Sequence, residues 1–275
     1  MRPYNASKIK GDICLLISLI IKTKFLGFNF FKKLSVIMSL AKNGYSKLSE
    51  NISLKHRNIN FSISRTGGLG ILSVECYEPI VFNHIKNRSG ELFVDIGANV
   101  GCYSILASFS FSKVIAVEPG KNQKQLLLNN LAKNSINNVF IIENAVGSFN
   151  GEGKLYESKM SVNNSLINVD DDFQEVNVMT LDALLNDISS IDLLKIDVEG
   201  AELEVIKSGI NSLEKIEEII IEVREEFEVE LLKIMNNYNF ICYLLEDRKK
   251  IKEKNLLFSI HKYDYLKLSQ IPYIK

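Results

Sequence analysis

Between residues 91 and 238 the apolar positions of this 275-residue chain follow a repeating rhythm. A short apolar run is followed by a longer stretch with apolar residues at helical spacing, and the pair recurs. The runs predict strands at Glu91–Ile96, Val114–Val117, Val139–Ile142, Ile191–Ile196 and Ile216–Val223. The stretches between and after them predict helices at Val100–Phe111, Asn122–Asn134, Leu181–Asp187, Ala201–Ser208 and Glu226–Tyr238. Strand then helix, repeated, is the pattern of a parallel sheet covered by helices. Runs such as Ile219-Ile220-Ile221 lack polar alternation, as expected of strands buried on both faces. Residues 240–247 and 255–261 predict two closing, antiparallel strands. The expected fold is α/β, a doubly wound, mostly parallel, seven-stranded sheet.

Three segments break the rhythm. Residues 150–180 alternate and contain Gly and Asn, which predicts an inserted hairpin and loop. Residues 61–78 alternate around Gly67-Gly68-Leu69-Gly70, a hairpin whose turn tolerates positive φ, with a short helix, Pro79–Asn87, after it. Residues 1–60 read as a mostly helical extension ahead of a main domain at 61–275. Within the extension the apolar run Ile13–Ile21 is bounded by Asp12 and Lys22. It is about half the ~20 residues a membrane span needs. With Lys22, Lys24, Lys32 and Lys33 interleaved, residues 7–41 either pack on the body or lie on a surface.

Charge sharpens this division. Residues 1–60 carry eleven Lys and Arg against two Asp and Glu, a net +9, and the chain as a whole sums to zero, so the remainder is −9. A basic arm either keeps an apolar helix soluble or meets an anionic partner, for which an anionic membrane carrying a lipid-linked glycan is the candidate. The acidic body argues against a nucleic-acid partner. Cys14, Cys76, Cys102 and Cys242 fit no zinc or disulfide spacing, and a reducing cytoplasm suits them. His56, His84 and His261 are too scattered in sequence to suggest a metal site. The oligomeric state is not encoded in any of these features.

The candidate chemistry lies where strands end. Asp95-Ile96-Gly97-Ala98-Asn99-Val100-Gly101 follows an apolar strand and opens a helix. Gly97 and Gly101 permit a tight turn and close backbone approach to a ligand. A helix N-terminus suits a carboxylate, Asp95 an ammonium, and the Asn99 side chain can meet a methionyl tail. The next strand ends in Glu118, 21 positions after Gly97, where an acid can accept from both ribose hydroxyls. The third ends near Asn144, placed for an adenine edge. The third glycine of the dinucleotide fingerprint is absent, so S-adenosylmethionine fits better than NAD.

Lys195-Ile196-Asp197-Val198-Glu199-Gly200-Ala201-Glu202 is the second constellation. Asp197 and Glu199 can bind a divalent cation such as Mg²⁺, act on a substrate hydroxyl as a base, or cap the following helix. Glu202 reads as a first-turn helix residue, and Glu222 as an edge acid with a possible auxiliary part.

With Tyr77-Glu78-Pro79, Val117-Glu118-Pro119, Asn144-Ala145-Val146-Gly147 and Thr180-Leu181-Asp182 in the same order, residues 75–225 resemble the FkbM family of methyltransferases. The resemblance implies a class I, Rossmann-like methyltransferase fold, S-adenosylmethionine as cofactor, and O-methylation of a hydroxyl on a sugar, glycan or natural product. The expected cofactor residues are Glu78, Asp95, Gly97, Ala98, Asn99, Gly101, Glu118, Asn144 and Ala145, and the expected catalytic residues are Asp197 and Glu199. A cytoplasmic enzyme, peripheral at the inner face of the membrane through residues 1–60, completes the expectation. The alternatives are a NAD-linked oxidoreductase and a non-catalytic cofactor-binding scaffold.

Overall fold

The computed structural model describes residues 52–56, 59–63, 78–156, 173–248, 253–263 and 269–270. The apolar run at 13–21, the Gly67–Gly70 turn and residues 157–172 of the insert lie outside them. Two short strands come first, β1 (Ile52–His56) and β2 (Ile59–Ile63), paired antiparallel. Extended structure therefore begins before residue 60, where the sequence suggests helix, and β2 runs across that boundary.

The body alternates as the hydrophobic pattern requires. Its elements are α1 (Pro79–Asn87), β3 (Gly90–Ile96), α2 (Cys102–Ala107), β4 (Phe111–Val117), α3 (Lys121–Lys133) and β5 (Val139–Ile142). After an insert come α4 (Leu181–Leu184), β9 (Leu193–Ile196), α5 (Glu202–Lys207), β10 (Glu218–Arg224), α6 (Glu228–Asn236), β11 (Ile241–Arg248) and β12 (Glu253–Ser259). The strands form one sheet in the order β11-β12-β10-β9-β3-β4-β5, and a two-residue strand, β13 (Ser269–Gln270), extends it outside β11. The closing strands are antiparallel to each other, but of the seven only β12 runs against the sheet.

Side-chain parity explains why β9 and β10 carry continuous apolar runs. Leu194, Ile196, Ile219 and Ile221 pack on one face with α4, α5 and α6. Leu193 and Ile220 pack on the other with α1, α2 and α3. Each such residue, buried completely, contributes about 1.5–3 kcal/mol. No helix among the described residues is long and apolar enough to cross a membrane.

Some elements are shorter than the pattern predicts. Gly101 has φ +89, which ends helical continuity, so α2 starts at Cys102. Phe111 is buried and pairs with Gly90, so it opens β4 instead of closing α2. Ile191 forms only an isolated bridge to Ile216. The insert is a second sheet, β6 (Asn144–Val146), β7 (Gly151–Tyr156) and β8 (Phe173–Met179). β7 and β8 form the expected hairpin, and β6 joins β8 in parallel. Gln174 fastens this sheet to the main body, donating to the Pro119 carbonyl (3.0 Å) and accepting from the Lys121 N–H (3.3 Å).

Candidate active site

In an open parallel sheet, ligands bind beyond the carboxyl ends of strands where the strand order reverses. Here the order reverses between β3 and β9, since β4 and β5 continue on one side and β10 on the other. Asp95 and the glycine turn end β3, and Asp197 follows β9. The switch point therefore joins the two constellations.

Their contact is direct. Gly97 has φ +81, and a Cβ there would stand 1.9 Å from the Asp197 carbonyl oxygen. Gly101 has φ +89, and its Cβ would meet Leu127 of α3 at 2.2 Å. The sequence assigns these glycines to turning and to ligand approach. The turning holds, but the missing side chains make room for protein, the Asp197 loop and α3. Ala98 is buried against the α2 side of the core, and its N–H and that of Gly97 both donate to the Val117 carbonyl (3.0 Å each). Asn99 is half-buried at φ +52, and its N–H donates to Glu118 (2.8 Å). That donor serves the protein and not a ligand carboxylate directly.

Asp95 is 1% exposed. Oδ2 accepts from the Ser104 hydroxyl (2.6 Å), while Oδ1 is buried and has no partner among the described residues. Burial pushes its carboxyl up, and the nearby Lys195 and Ser104 oppose this. A buried carboxylate oxygen without a donor is costly unless a ligand supplies one. An ammonium answers that need.

Glu118, at the end of β4, is also buried, and burial pushes its carboxyl up to about 7. The Gly120 and Asn99 N–H groups counter this, donating at 2.7 and 2.8 Å to its two oxygens. Each oxygen retains acceptor capacity for a hydroxyl. Asn144 opens β6, one residue after Glu143, and is half-buried beside Asn177 in the β6–β8 register. Its neighbourhood to Glu118 is set by the Glu118 N–H, which donates to Ile142 at 3.0 Å. Ala145 packs into the small core of the second sheet with Leu155, Val176 and Val178.

In the second constellation Asp197 is about a quarter exposed (26%) and accepts from the Lys195 ammonium at 2.8 Å. Glu199 is held at φ +58, a left-handed conformation uncommon for a long side chain and enriched at functional sites. Gly200, at φ +109, has no Cβ to meet the Arg224 guanidinium, which lies where one would stand within 3 Å. Glu202 is buried and accepts from the N–H groups of Val198 (3.2 Å) and Gly200 (2.8 Å). It is thus the brace of the loop as well as a first-turn residue of α5, whose N-cap, Ala201, has no side-chain cap. Glu222 is half-buried on β10 opposite Asn255, not a simple edge acid. Among the described residues no group of three or more His, Cys, Asp and Glu is arranged to hold a metal ion, so Mg²⁺ at Asp197 and Glu199 gains no ligand set.

Glu78 closes the site from the side of α1. It accepts from the Tyr103 hydroxyl (2.5 Å) and the Asn255 amide (2.9 Å). Sequence reasoning missed Tyr103, Ser104, Lys195 and Asn255. The one legible signal was Lys195, a charge inside an apolar strand.

Residues 95–242 match one family model, described as the methyltransferase FkbM domain. The chain belongs to the FkbM methyltransferase family. It is an S-adenosylmethionine-dependent methyltransferase with a Rossmann-like fold. No curated protein matches it. Among solved structures, it is similar to M. jannaschii TYW2 in complex with AdoMet at 12% identity and a TM-score of 0.47, covering 77% of this chain and 85% of that one. M. capricolum TrmK in complex with S-adenosyl-homocysteine matches at 15% identity and 0.43, covering 68% and 71%. Precorrin-6y C5,15-methyltransferase from Geobacter metallireducens GS-15 matches at 12% and 0.42, covering 65% and 86%.

Proposed function

We propose that this FkbM methyltransferase methylates a hydroxyl oxygen of a sugar, glycan or related natural product, with Asp197 and Glu199 at the acceptor. The observation that carries this reading is the Asp197 carboxylate, fixed by Lys195 and partly open to solvent, in a loop whose backbone abuts the Gly97 turn. Asp95 and Glu118 supply acceptors for the ammonium and ribose of the cofactor, and Asn144 flanks the adenine side. S-adenosylmethionine, when bound, supplies a methyl group already activated on a sulfonium sulfur.

The tasks left to the chain are alignment and proton handling. Positioning alone is worth on the order of 7–11 kcal/mol of barrier, and a placed acid–base group about 10²–10⁴-fold in rate. Lys195 holds one Asp197 oxygen, which fixes the direction of the other toward an acceptor hydroxyl. A proton on the acceptor hydroxyl can leave late, as the oxygen loses electron density to carbon, and a carboxylate held in place is suited to receive it there. The conformation imposed on Glu199 supports a part beside it in holding the acceptor.

The test is transfer of labelled methyl to a panel of sugars and glycans, with RNA and tetrapyrroles as competing acceptors. Asp197→Asn is expected to keep S-adenosylhomocysteine affinity within about threefold and to lower kcat by about 100-fold or more. Wild-type turnover by that variant would remove Asp197 from the reaction, and transfer to RNA alone would overturn the hydroxyl-bearing small acceptor.

A further inference from the structure

Several ionisable side chains meet on the face of the sheet covered by α2, and they surround a single ammonium. Lys195 is 3% exposed. Its Nζ lies 2.8 Å from Asp197 Oδ2 and 4.7 Å from the centre of the Tyr103 ring. Asp95 is its register partner on β3, and parity puts both on the side of Phe93 and Leu193. Tyr103, beneath which the ammonium sits, donates to Glu78. The remaining Asp95 oxygen, Oδ1, is buried and has no partner among the described residues. The site described above uses Asp95 for the cofactor and Asp197 for the acceptor, and gives Lys195 a part toward Asp197 alone, although its register partner is Asp95.

We propose that Lys195 is a positioning residue for the cofactor: it is the counter-ion that keeps Asp95 ionised, so that Asp95 Oδ1 can accept the cofactor's ammonium. The proposal rests on the assignment of S-adenosylmethionine to this pocket. A carboxylate buried as deeply as Asp95 favours its neutral form, and a neutral carboxyl is a poor partner for an ammonium. Burial does push Asp95 up, with Lys195 the chief opposing charge and the Ser104 hydroxyl next. Burial also disfavours the Lys195 ammonium, but Asp197, Asp95 and Glu78 outweigh it and hold that group above its ordinary range. Lys195 therefore stays charged while Asp95 depends on it.

The other groups facing this cluster are Glu78 ahead of α1, Cys102 and Tyr103 on α2, Glu118 after β4, Asp197 in the loop after β9, Glu202 at the start of α5, Glu222 on β10 and Asn255 on β12. Burial pushes the Cys102 thiol up to about 12, which leaves it neutral. The acids around Lys195 only increase the demand for its charge. Asp197, which shares Lys195, raises Asp95 in turn. Lys195 thus divides one positive charge between the cofactor carboxylate and the acceptor carboxylate.

The experiment is calorimetric titration of the full chain with S-adenosylhomocysteine between pH 6 and 8.5, for the wild type, Lys195→Met and Lys195→Arg. Without its counter-ion Asp95 ionises only at higher pH. Lys195→Met is expected to bind about tenfold or more weakly than the wild type at pH 6, and the gap narrows by up to about tenfold per pH unit above that. Lys195→Arg retains the charge and most of the affinity. The ratio of the two affinities at each pH is read, because the Glu118 titration is common to both. An equal gap at every pH would mean lost packing alone and would overturn the proposal, as would no gap at all. Asp197→Asn gives a second reading should the Met variant not fold. It releases Lys195 to Asp95, so binding is as tight as in the wild type or tighter at pH 6, and weaker binding there overturns the assignment. A wild type that binds no S-adenosylhomocysteine would overturn the cofactor assignment itself, and this inference with it.

Discussion

Both edges of the main sheet bury carboxylates, and they do so differently. At the amino edge, Glu218 is fully buried at the start of β10. His84 lies 2.8 Å from it, the Arg88 Nε 3.5 Å, and the Tyr263 hydroxyl donates to its other oxygen. Its neighbour Glu217 holds Arg88 (2.8 Å) and His261 (3.2 Å). Each carboxylate there is met by protein. At the carboxyl edge, Asp95 keeps one buried oxygen without a partner among the described residues, and Asn99 and Glu199 are held in left-handed backbone nearby. A satisfied buried acid fastens elements together, here α1, β10 and the segment after β12. An unsatisfied one beside strained backbone marks a candidate ligand site. Burial alone would not have told them apart.

Removing one acid from each edge tests that contrast. Glu218→Ala leaves Arg88, His84 and Tyr263 without their shared buried acceptor and should cost about 3–5 kcal/mol in urea unfolding. S-adenosylhomocysteine affinity of the folded protein should stay unchanged, and a large affinity loss would mean that the amino edge is not merely structural. Asp95→Asn should do the opposite. It removes a charge-assisted bond worth about 1.5–3 kcal/mol, so calorimetry should show affinity lower by about 10- to 150-fold, with stability unchanged or raised. A destabilised Asp95→Asn protein with normal affinity would reverse the assignment of the two edges.

The smallest effect sharpens the carboxyl edge by pH. The Glu118 carboxyl is pushed up to about 7, first by burial. Ribose hydroxyls need its ionised form as acceptor, so affinity should fall as pH drops below about 7, by at most about tenfold per unit. The stability of the free protein runs the other way. A carboxyl whose folded value is raised contributes stability that is complete below its unfolded value, near 4.5, and is lost as pH rises through about 7. Thermal melts with and without S-adenosylhomocysteine across pH 5–8 should therefore diverge with rising pH, and parallel curves would remove Glu118 from the ribose site.

Much of the carboxyl edge was legible in the sequence because its parts are local. Asp95, Gly97, Gly101 and Glu118 sit at strand ends, which the hydrophobic rhythm locates to within a residue or two. The Asp197 run was legible for the same reason. The amino edge was not. His84 and His261 lie 177 positions apart, and nothing in their spacing shows that both meet adjacent carboxylates. The same holds for Glu78 and Asn255, brought to 2.9 Å by α1 packing beside β12. Gly97 was legible as a turn; that a Cβ there would meet the Asp197 carbonyl of the loop after the neighbouring strand was not.

By itself, the sequence determined the alternation of strands and helices, the parallel sheet and the strand ends that form the candidate site. These follow from periodicity and from residues a few positions apart. The tertiary structure decided which buried charges are satisfied, that Lys195 pairs with Asp197 beside Asp95, that Glu202 braces the loop after β9, and that residues 144–179 form a separate sheet. Those depend on register and on which strands become neighbours. Partners on adjacent strands are close in space through hydrogen-bonded pairing, whatever their distance along the chain.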